Sequence, residues 1–353
     1  MSSLPGELLW QRLREAGIAQ GDLPDAEPGA PWFVRLMLGI AGWIGALFLF
    51  GFFGVALQEL LRSAGARLFL GALLCAAAAL VLRAVRHGEL LGQFGFALSL
   101  AGQGLLASGF GEALRGSAAA AAALAVQQAI LFLAVPGMAH RAWCALSGGY
   151  ALGFALGAWG LAPFASPLLF AAFALAGMSE LRHARQAPLL RAAAYGLGLA
   201  AFVSSVMDAA WMDALWFRHS ASPGNAQAWT GAIAGGAVLV ASAGALLRRD
   251  GVPLGSAPGA LAMAGALIVA AAAAKAPGIA PATGLLVLGY ANGNRVLGGL
   301  GIVALTGYLS YYYYSLHATL LDKSALLAAT GIALLAARFV MQRVVPGKAA
   351  RDA

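Results

Sequence analysis

The chain has 353 residues, of which 61% are apolar or aromatic and only 10% are charged. With glycine counted and tyrosine left out, the apolar share is about 72%, against roughly 45 to 50% in soluble domains, and the mean hydropathy is +0.80. A soluble fold could not keep that much apolar surface from water. The composition therefore indicates a polytopic membrane protein and excludes a disordered chain, a disulfide scaffold, a collagen-like repeat and a nucleic-acid-binding protein.

Residues 1–31 form the only sizeable polar segment, which we expect on the cytoplasmic side. Leu8, Leu9, Leu13 and Ile18 line one face of a short helix, a pattern typical of an amphipathic helix at the membrane interface. A solvated tail is the alternative interpretation. The proline-rich stretch that follows ends this helix before the membrane begins.

Residues 32–345 are predicted to form an all-α transmembrane helix bundle, because apolar windows of about 20 residues can each cross a hydrocarbon core of about 30 Å. We expect about twelve segments. They lie approximately at 33–57, 66–85, 90–110, 117–135, 141–159, 164–181, 189–210, 227–247, 258–274, 279–289, 296–316 and 323–341. The tenth is short and begins beside Pro277 and Pro281, so it either spans the membrane or forms a re-entrant half-helix.

The basic residues test this count, because cytoplasmic loops carry an excess of Lys and Arg. With the N-terminus inside, 16 of the 22 Lys and Arg residues fall on the cytoplasmic side. The pattern predicts that both termini are cytoplasmic, including a short basic tail at 346–353. The net charge of +8 thus reflects membrane orientation and contact with anionic headgroups.

Small residues mark expected helix contacts. Gly149, Gly153 and Gly157 recur every four residues and form a groove along one helix face. Such a groove most often seats a neighbouring helix of the same chain, and a dimer interface is the alternative. Cys75 and Cys144 lie in apolar runs and are expected to pack as small hydrophobic residues.

A run of tyrosines is the least ordinary feature of the sequence. Tyr308, Tyr311 and Tyr312 belong to this run, which continues to Tyr314 and is followed by Ser315. Tyrosines concentrate at membrane interfaces, and such a belt explains one or two of them. Successive helical residues point in different directions, so at least one hydroxyl must face protein. Two interpretations of the run therefore remain. The tyrosines either form an interfacial belt and pack against neighbouring helices, or they form a polar site on the outer side of the membrane.

His317, Asp322 and Lys323 follow the tyrosines. Thr319 and Asp322 have the spacing of a helix capping box, which predicts the start of the last helix. The alternative is a titratable cluster that extends the candidate outer site.

The turn that contains Asn292, Asn294 and Arg295 is the second candidate site, on the cytoplasmic side. Its simpler interpretation is a short loop whose Arg295 only enforces orientation.

Other polar residues are sparse. Gln103, Gln127 and Gln128 lie inside predicted spans and could line a path, whereas Glu180 and other acidic residues lie at span ends. The absence of an acidic residue at a span centre weakens a proton-driven or sodium-driven mechanism. The sequence contains no Walker, HExxH, GxSxG or CxxC motif and no metal-ligand spacing of histidines. We therefore expect no enzyme activity, no cofactor and no metal.

Segments at both ends of the chain resemble a bacterial multi-pass membrane family, domain of unknown function 4401. The resemblance rests on PWFVR at 31–35 with GW at 42–43, and on GYANGNR at 289–295, GYLSYYYYSL at 307–316 and LLDKS at 320–324. It implies a bacterial inner-membrane protein. It also implies a partner membrane protein of the type named for a GDYxxLxxY motif.

Two functional hypotheses remain. The first is a non-enzymatic inner-membrane protein that lies in the lipid bilayer and assembles with such a partner. The second is a transporter or channel for a small or lipidic solute, with the broken tenth segment and the turn at 292–295 at its cytoplasmic end.

Overall fold

The computed structural model describes residues 5–17, 20–21, 58–84, 89–206, 225–274 and 276–315, together with single positions between 34 and 56 and at 321, 335 and 339. Every regular element in these ranges is helical, which confirms the all-α prediction for the described part of the chain. The α-helices are α1 (Pro5–Glu15), α2 (Ala64–Ala84), α3 (Glu89–Ala113), α4 (Ala118–Ala134), α5 (Met138–Ala158), α6 (Ala162–Ser179), α7 (Ala187–Val206), α8 (Asn225–Arg249), α9 (Ala257–Ala273), α10 (Ile279–Ala291) and α11 (Arg295–Ser315). Short 3-10 turns precede α2 and α7.

Six helical stretches are long and apolar enough to cross a membrane by length and composition. They are Ala64–Ala84, Leu91–Ala113, Ala162–Ser179, Ala184–Val206, Trp229–Arg249 and Arg295–Tyr314. The apolar helices α4, α9 and α10 are shorter. Helices of this length and composition indicate a membrane protein. The count of twelve spans and the sidedness of the termini stay predictions, because most of the first and last windows lies outside the described residues.

The helices enclose two apolar clusters. One lies between α2, α3, α4 and α5 and contains Leu106, Leu131 and Val135. The larger one is built mainly by α6, α7, α8, α10 and α11 around Phe173 and Leu285, both fully buried. Helix α5 joins the two clusters because it packs against α4 on one side and α7 on the other.

The α2–α3 pair shows how polar groups are placed at helix ends. Arg67 near the start of α2 forms an ion pair with Glu112 near the end of α3, so the two helices run antiparallel. At the opposite end of α2, Arg83 donates two hydrogen bonds to the carbonyl oxygen of Ala134, at 3.1 and 2.7 Å. That carbonyl lies at the C-terminus of α4, where backbone oxygens have no partner within the helix.

Helix α10 is the short element that the sequence places in the tenth window. Its 13 residues give a length of about 20 Å, less than the roughly 30 Å of a hydrocarbon core. Its residues are nevertheless mostly buried among neighbouring helices. Helix α10 folds back on α11 as a tight antiparallel hairpin, in which Gly289 contacts Gly298 and Gly301 contacts Leu286.

Candidate functional site

A cluster of polar side chains lies inside the bundle where α3, α4 and α5 meet. Helix α3 contributes Ser99 and Gln103, which are one turn apart and therefore share a face. Gln128 comes from α4, and His140 and Trp143 come from α5. All but Trp143 are at least 95% buried. Polar groups this deep in an apolar bundle are costly unless they find partners.

The cluster is a continuous set of hydrogen bonds. The Gln103 amide nitrogen donates to the Ser99 hydroxyl at 3.0 Å, and Ser99 Oγ lies 2.9 Å from His140 Nε2. The Gln103 amide oxygen accepts twice, from Gln128 Nε2 at 3.0 Å and from the Trp143 indole at 2.9 Å. Gln103 is therefore the centre of the cluster.

Two cysteines border the same cluster. Cys144 Sγ lies 3.6 Å from His140 Nδ1, and Cys75 Sγ lies 3.8 Å from the carbonyl oxygen of Ser99. Both cysteines are free and buried among apolar residues, which agrees with the prediction that they pack as hydrophobic side chains. Among the described residues, no group of three His, Cys, Asp or Glu side chains could hold a metal ion.

A cavity of about 560 Å³ lies beside this cluster, between α3, α4 and α5. Gln103, Gln128 and Trp143 form part of its wall, together with Ser147 and Tyr150. The other described residues of the wall are apolar or small: Leu100, Gly104, Ala107, Gly116, Ser117, Ala120, Ala121, Leu124, Ala151 and Phe154. Its volume is in the range of small-molecule sites, and such sites commonly combine an apolar wall with a few polar groups.

Close helix packing positions Gln128 at this wall. A Cβ atom added to Gly148 of α5 would lie 2.8 Å from the Cβ of Gln128, so only glycine lets the two helices approach here. The Gln128 Oε1 atom is buried and has no hydrogen-bond partner among the described residues. Gln128 thus lines the cavity as a residue, whereas its unpaired amide oxygen is enclosed by the surrounding helices.

The predicted cytoplasmic turn lies far from this cavity in the sequence, and its asparagine side chains hydrogen-bond residues of α6, α7 and α8. Asn292 Nδ2 donates to the Gly177 carbonyl in α6 at 2.8 Å, and its Oδ1 accepts from Arg249 of α8 at 2.8 Å. Asn294 Oδ1 accepts from the Tyr195 hydroxyl at 2.7 Å and from the backbone N–H of Leu297 at 3.1 Å. Both asparagine side chains thus connect the α10–α11 turn to the bundle.

Arg295, the third residue of the turn site, is exposed at the first position of α11. The structure therefore does not bring its guanidinium together with the two asparagine side chains in any described contact. Its location is consistent with the orienting role that the sequence offers as the simpler interpretation.

The candidate outer site is described only in part. Tyr308 is 3% exposed and packs against Phe202, Tyr311 and Tyr312, with ring centroids 6.2 to 6.4 Å apart. The backbone of Gly278, just before α10, lies against the Tyr308 ring, since a Cβ built at Gly278 would be 2.6 to 2.8 Å from three ring atoms. The side chain of Ser315 and all of His317, Asp322 and Lys323 lie outside the described residues.

The glycine groove of α5 faces helices of the same chain. A Cβ at Gly149 would lie 2.9 Å from the Cβ of Ala200 in α7, and one at Gly153 would lie 3.4 Å from Ser204 Oγ. Gly157 is less crowded, with Ala162 at 3.8 Å. The contacts become looser from Gly149 toward the C-terminal end of α5.

The family model described as domain of unknown function (DUF4401) matches residues 31–344. The chain belongs to this family. Neither the curated proteins nor the solved structures contain a significant match.

The polar cluster of this DUF4401 protein was only partly visible in the sequence. Gln103 and Gln128 stand out as polar residues inside apolar windows, whereas Ser99 and Trp143 resemble ordinary span residues and His140 comes just before the predicted window 141–159. The Ser99–Gln103 spacing of one helical turn is the sequence signal that could have paired two of its members. Nothing in the spacing of His140 connects it to Ser99, which is 41 residues away.

Proposed function

We propose that this DUF4401 protein is a non-enzymatic integral membrane protein that binds a small amphipathic molecule in the cavity between α3, α4 and α5. The observation that supports the proposal is the cavity of about 560 Å³ beside the buried Gln103 cluster. An apolar wall suits a hydrocarbon chain, and buried amide groups at one side suit a polar head. This proposal develops the hypothesis of a transporter for a lipidic solute.

The sequence pattern supports a location for the site within the bilayer. Gln103 and Gln128 lie inside predicted spans, whereas Gly116 and Ser117 of the cavity wall belong to the α3–α4 loop. By the basic-residue pattern this loop is on the outer side of a bacterial inner membrane, with both termini in the cytoplasm. The bound molecule would then extend from the membrane interior toward the outer surface.

A variant that fills the cavity tests the proposal. A side chain at Gly104 would enter open space, because nothing lies within 4 Å of a Cβ built there, and Gly104 lines the cavity. Gly92 is the matched control, since it is in the same helix with equally open space but away from the cavity wall. The probe is a diazirine-bearing 1-dodecanol, photocrosslinked to the full chain in phospholipid vesicles.

We expect labelling of cavity-lining residues that excess unlabelled dodecanol displaces. Gly104→Leu should abolish this saturable labelling, and Gly92→Leu should preserve it. Labelling that is not displaceable, or that is equal in the two variants, would contradict the proposal.

We also propose that the protein assembles with a partner membrane protein of the GDYxxLxxY type, which rests on the family resemblance. Purification of the tagged chain in mild detergent from its native host should yield a stoichiometric partner with that motif. Recovery of the chain alone, under conditions that keep it folded, would contradict this part of the proposal.

A further inference from the structure

The buried cluster around Gln103 fixes the ring of Trp143 in the cavity wall. The indole N–H donates to Gln103 Oε1 at 2.9 Å, and Gln103 is held in turn by Ser99 and Gln128, at 3.0 Å each. The half-buried Trp143 also lines the cavity. The cluster therefore positions an aromatic ring at one end of the cavity.

Trp143 belongs to a stripe of side chains by which α5 lines the cavity. Trp143, Ser147, Tyr150 and Phe154 recur at intervals of three or four residues, so they share one helix face over about 16 Å. The Ser147 hydroxyl donates to the carbonyl oxygen of Trp143 at 2.8 Å. The indole N–H and the serine O–H of this stripe are thus both engaged within the protein.

Tyr150 differs from these two residues. Its hydroxyl forms no hydrogen bond with any residue that the structure describes. Tyr150 is half-buried, and its hydroxyl, unlike the amide oxygen of Gln128, is not enclosed. The wall that Tyr150 helps to form thus contains an accessible hydroxyl whose proton is unused.

The position of Tyr150 along α5 separates it from an interfacial tyrosine belt. It lies twelve residues after Met138 and eight before Ala158, the two ends of the helix, or about 18 Å and about 12 Å along the axis. Belt tyrosines lie near the ends of a span, where the hydroxyl meets water or headgroups. An unpaired hydroxyl in the middle of a span costs free energy, so a ligand atom that accepts its proton is favoured there.

We infer, building on the proposed function, that the ligand of this cavity carries a carbonyl oxygen that accepts a hydrogen bond from the Tyr150 hydroxyl. A phenol donates more readily than it accepts, because its oxygen shares a lone pair with the ring. A carbonyl oxygen accepts without bringing a proton that needs a further acceptor. The hydrocarbon on either side of the carbonyl packs against Trp143 and Phe154. A quinone ring and an acyl ester both present such an oxygen.

The test measures how well competitors displace the diazirine-bearing 1-dodecanol from the full chain in phospholipid vesicles. The matched pair is 2-dodecanone and 2-methyl-1-dodecene, in which a methylene group replaces the carbonyl oxygen. We expect the ketone to displace the label at about fivefold lower concentration in the membrane, the scale of one hydrogen bond. The alcohol 2-dodecanol should compete less well than the ketone. Methyl dodecanoate and 2-decyl-1,4-benzoquinone distinguish the two sources, because the stronger competitor identifies an ester or a quinone ring.

Tyr150→Phe removes only the hydroxyl and should make the ketone and the alkene equivalent. Tyr290→Phe is the matched control and should keep the preference, because Tyr290 is 88% exposed on α10 and lies outside the described cavity wall. If Tyr150→Phe does not fold, the comparison in the wild-type chain decides by itself.

Three results would overturn the carbonyl assignment and leave the proposed function intact. They are equal, saturable displacement by ketone and alkene in the wild type, an alcohol that competes as well as the ketone, and a ketone preference that persists in Tyr150→Phe. Labelling that none of the competitors displaces would overturn both.

Discussion

The guanidinium of Arg249 in α8 hydrogen-bonds the C-terminal end of α10 and the Asn292 side chain that follows it. Arg249 Nη1 donates to Asn292 Oδ1 at 2.8 Å, and Nη2 donates to the Ala291 carbonyl oxygen at 2.9 Å. The last carbonyls of a helix have no partner within it and carry partial negative charge, so a cation is favoured there. Because Asn292 also donates to Gly177 of α6, this one contact links α8, α10 and α6.

Replacement of Arg249 should therefore weaken the bundle. Arg249→Met keeps most of the apolar stem but removes both hydrogen bonds and the ion pair with the exposed Asp250, and we expect a loss of about 1.5 to 3 kcal/mol in the free energy of unfolding. The measurement is chemical unfolding of the purified chain in detergent. Arg248→Met is the control, because Arg248 is exposed on the same turn and should change stability by less than about 0.5 kcal/mol. Equal losses in the two variants would contradict the assigned role.

A second prediction concerns Gly299 and Gly301, two glycines of α11 that are only two residues apart in the sequence but differ in their contacts with α10. A Cβ at Gly301 would collide with the backbone of Leu286, whereas one at Gly299 would meet nothing within 4 Å. Gly301→Ala should destabilise the protein by about 1 to 3 kcal/mol because the helix backbones must separate. Gly299→Ala should be neutral or stabilise by about 0.5 to 1 kcal/mol, the usual difference between the two residues in a helix.

Thermal unfolding of the two single variants distinguishes these outcomes. A lower midpoint for Gly301→Ala alone is expected. Equal midpoints would mean that α10 and α11 are not packed backbone to backbone.

The central position of Gln103 in the buried cluster makes a third prediction. Gln103→Leu removes the only described acceptor of Trp143 and of Gln128 Nε2, so one buried donor and one half-buried donor lose their partners. Gln128→Leu removes one donor and an acceptor that is already unpaired. Because an unsatisfied buried group costs about 1 to 3 kcal/mol, Gln103→Leu should be the more destabilising change.

The measurement is again the free energy of unfolding, with Trp159→Phe as a control for loss of an exposed tryptophan, since Trp159 is 56% exposed. A Gln128→Leu variant less stable than Gln103→Leu would show that the directions of the hydrogen bonds are assigned wrongly.

The helices could be predicted from sequence because the apolar length of a segment is a local property. The windows 66–85 and 227–247 differ from the observed Ala64–Ala84 and Asn225–Arg249 by only one to two residues at each end. The family resemblance, drawn from short motifs at both ends of the chain, is confirmed by the match over residues 31–344.

The contacts between helices could not be predicted in the same way, because they depend on how each helix is rotated about its axis. Gly149 was recognisable as part of a repeated spacing. Gly196 of α7 makes a still closer approach in α5, to the Cβ of Ala145 and to backbone atoms of Ala142 and Leu146. Gly196 stands among many alanines and beside Gly198, without a glycine repeat every four residues, so the sequence did not single it out. Similarly, Asn292 was recognisable as a polar turn residue, but its partner Gly177 is 115 residues away.

The start of α10 provides the last prediction, because it fixes the depth at which this short helix begins. Gly278 has ordinary backbone angles, φ −66° and ψ −16°, so alanine would fit its local conformation. A Cβ there would nevertheless lie 2.6 to 2.8 Å from three ring atoms of Tyr308. Tyr308 is buried and also packs against Phe202, so its ring has little room to move.

Gly278→Ala should therefore destabilise the protein by about 1 to 3 kcal/mol through overpacking. Gly265→Ala in α9 is the control and should not destabilise it, because a Cβ there would meet nothing within 4 Å. A double-mutant cycle separates this contact from a local effect on the helix start. In the Tyr308→Ala background the ring is gone, so Gly278→Ala should cost almost nothing, and the coupling between the two positions should exceed about 0.5 kcal/mol. Additive effects in the cycle would mean that Gly278 and Tyr308 are not in contact, and that α10 begins at a different depth in the bundle.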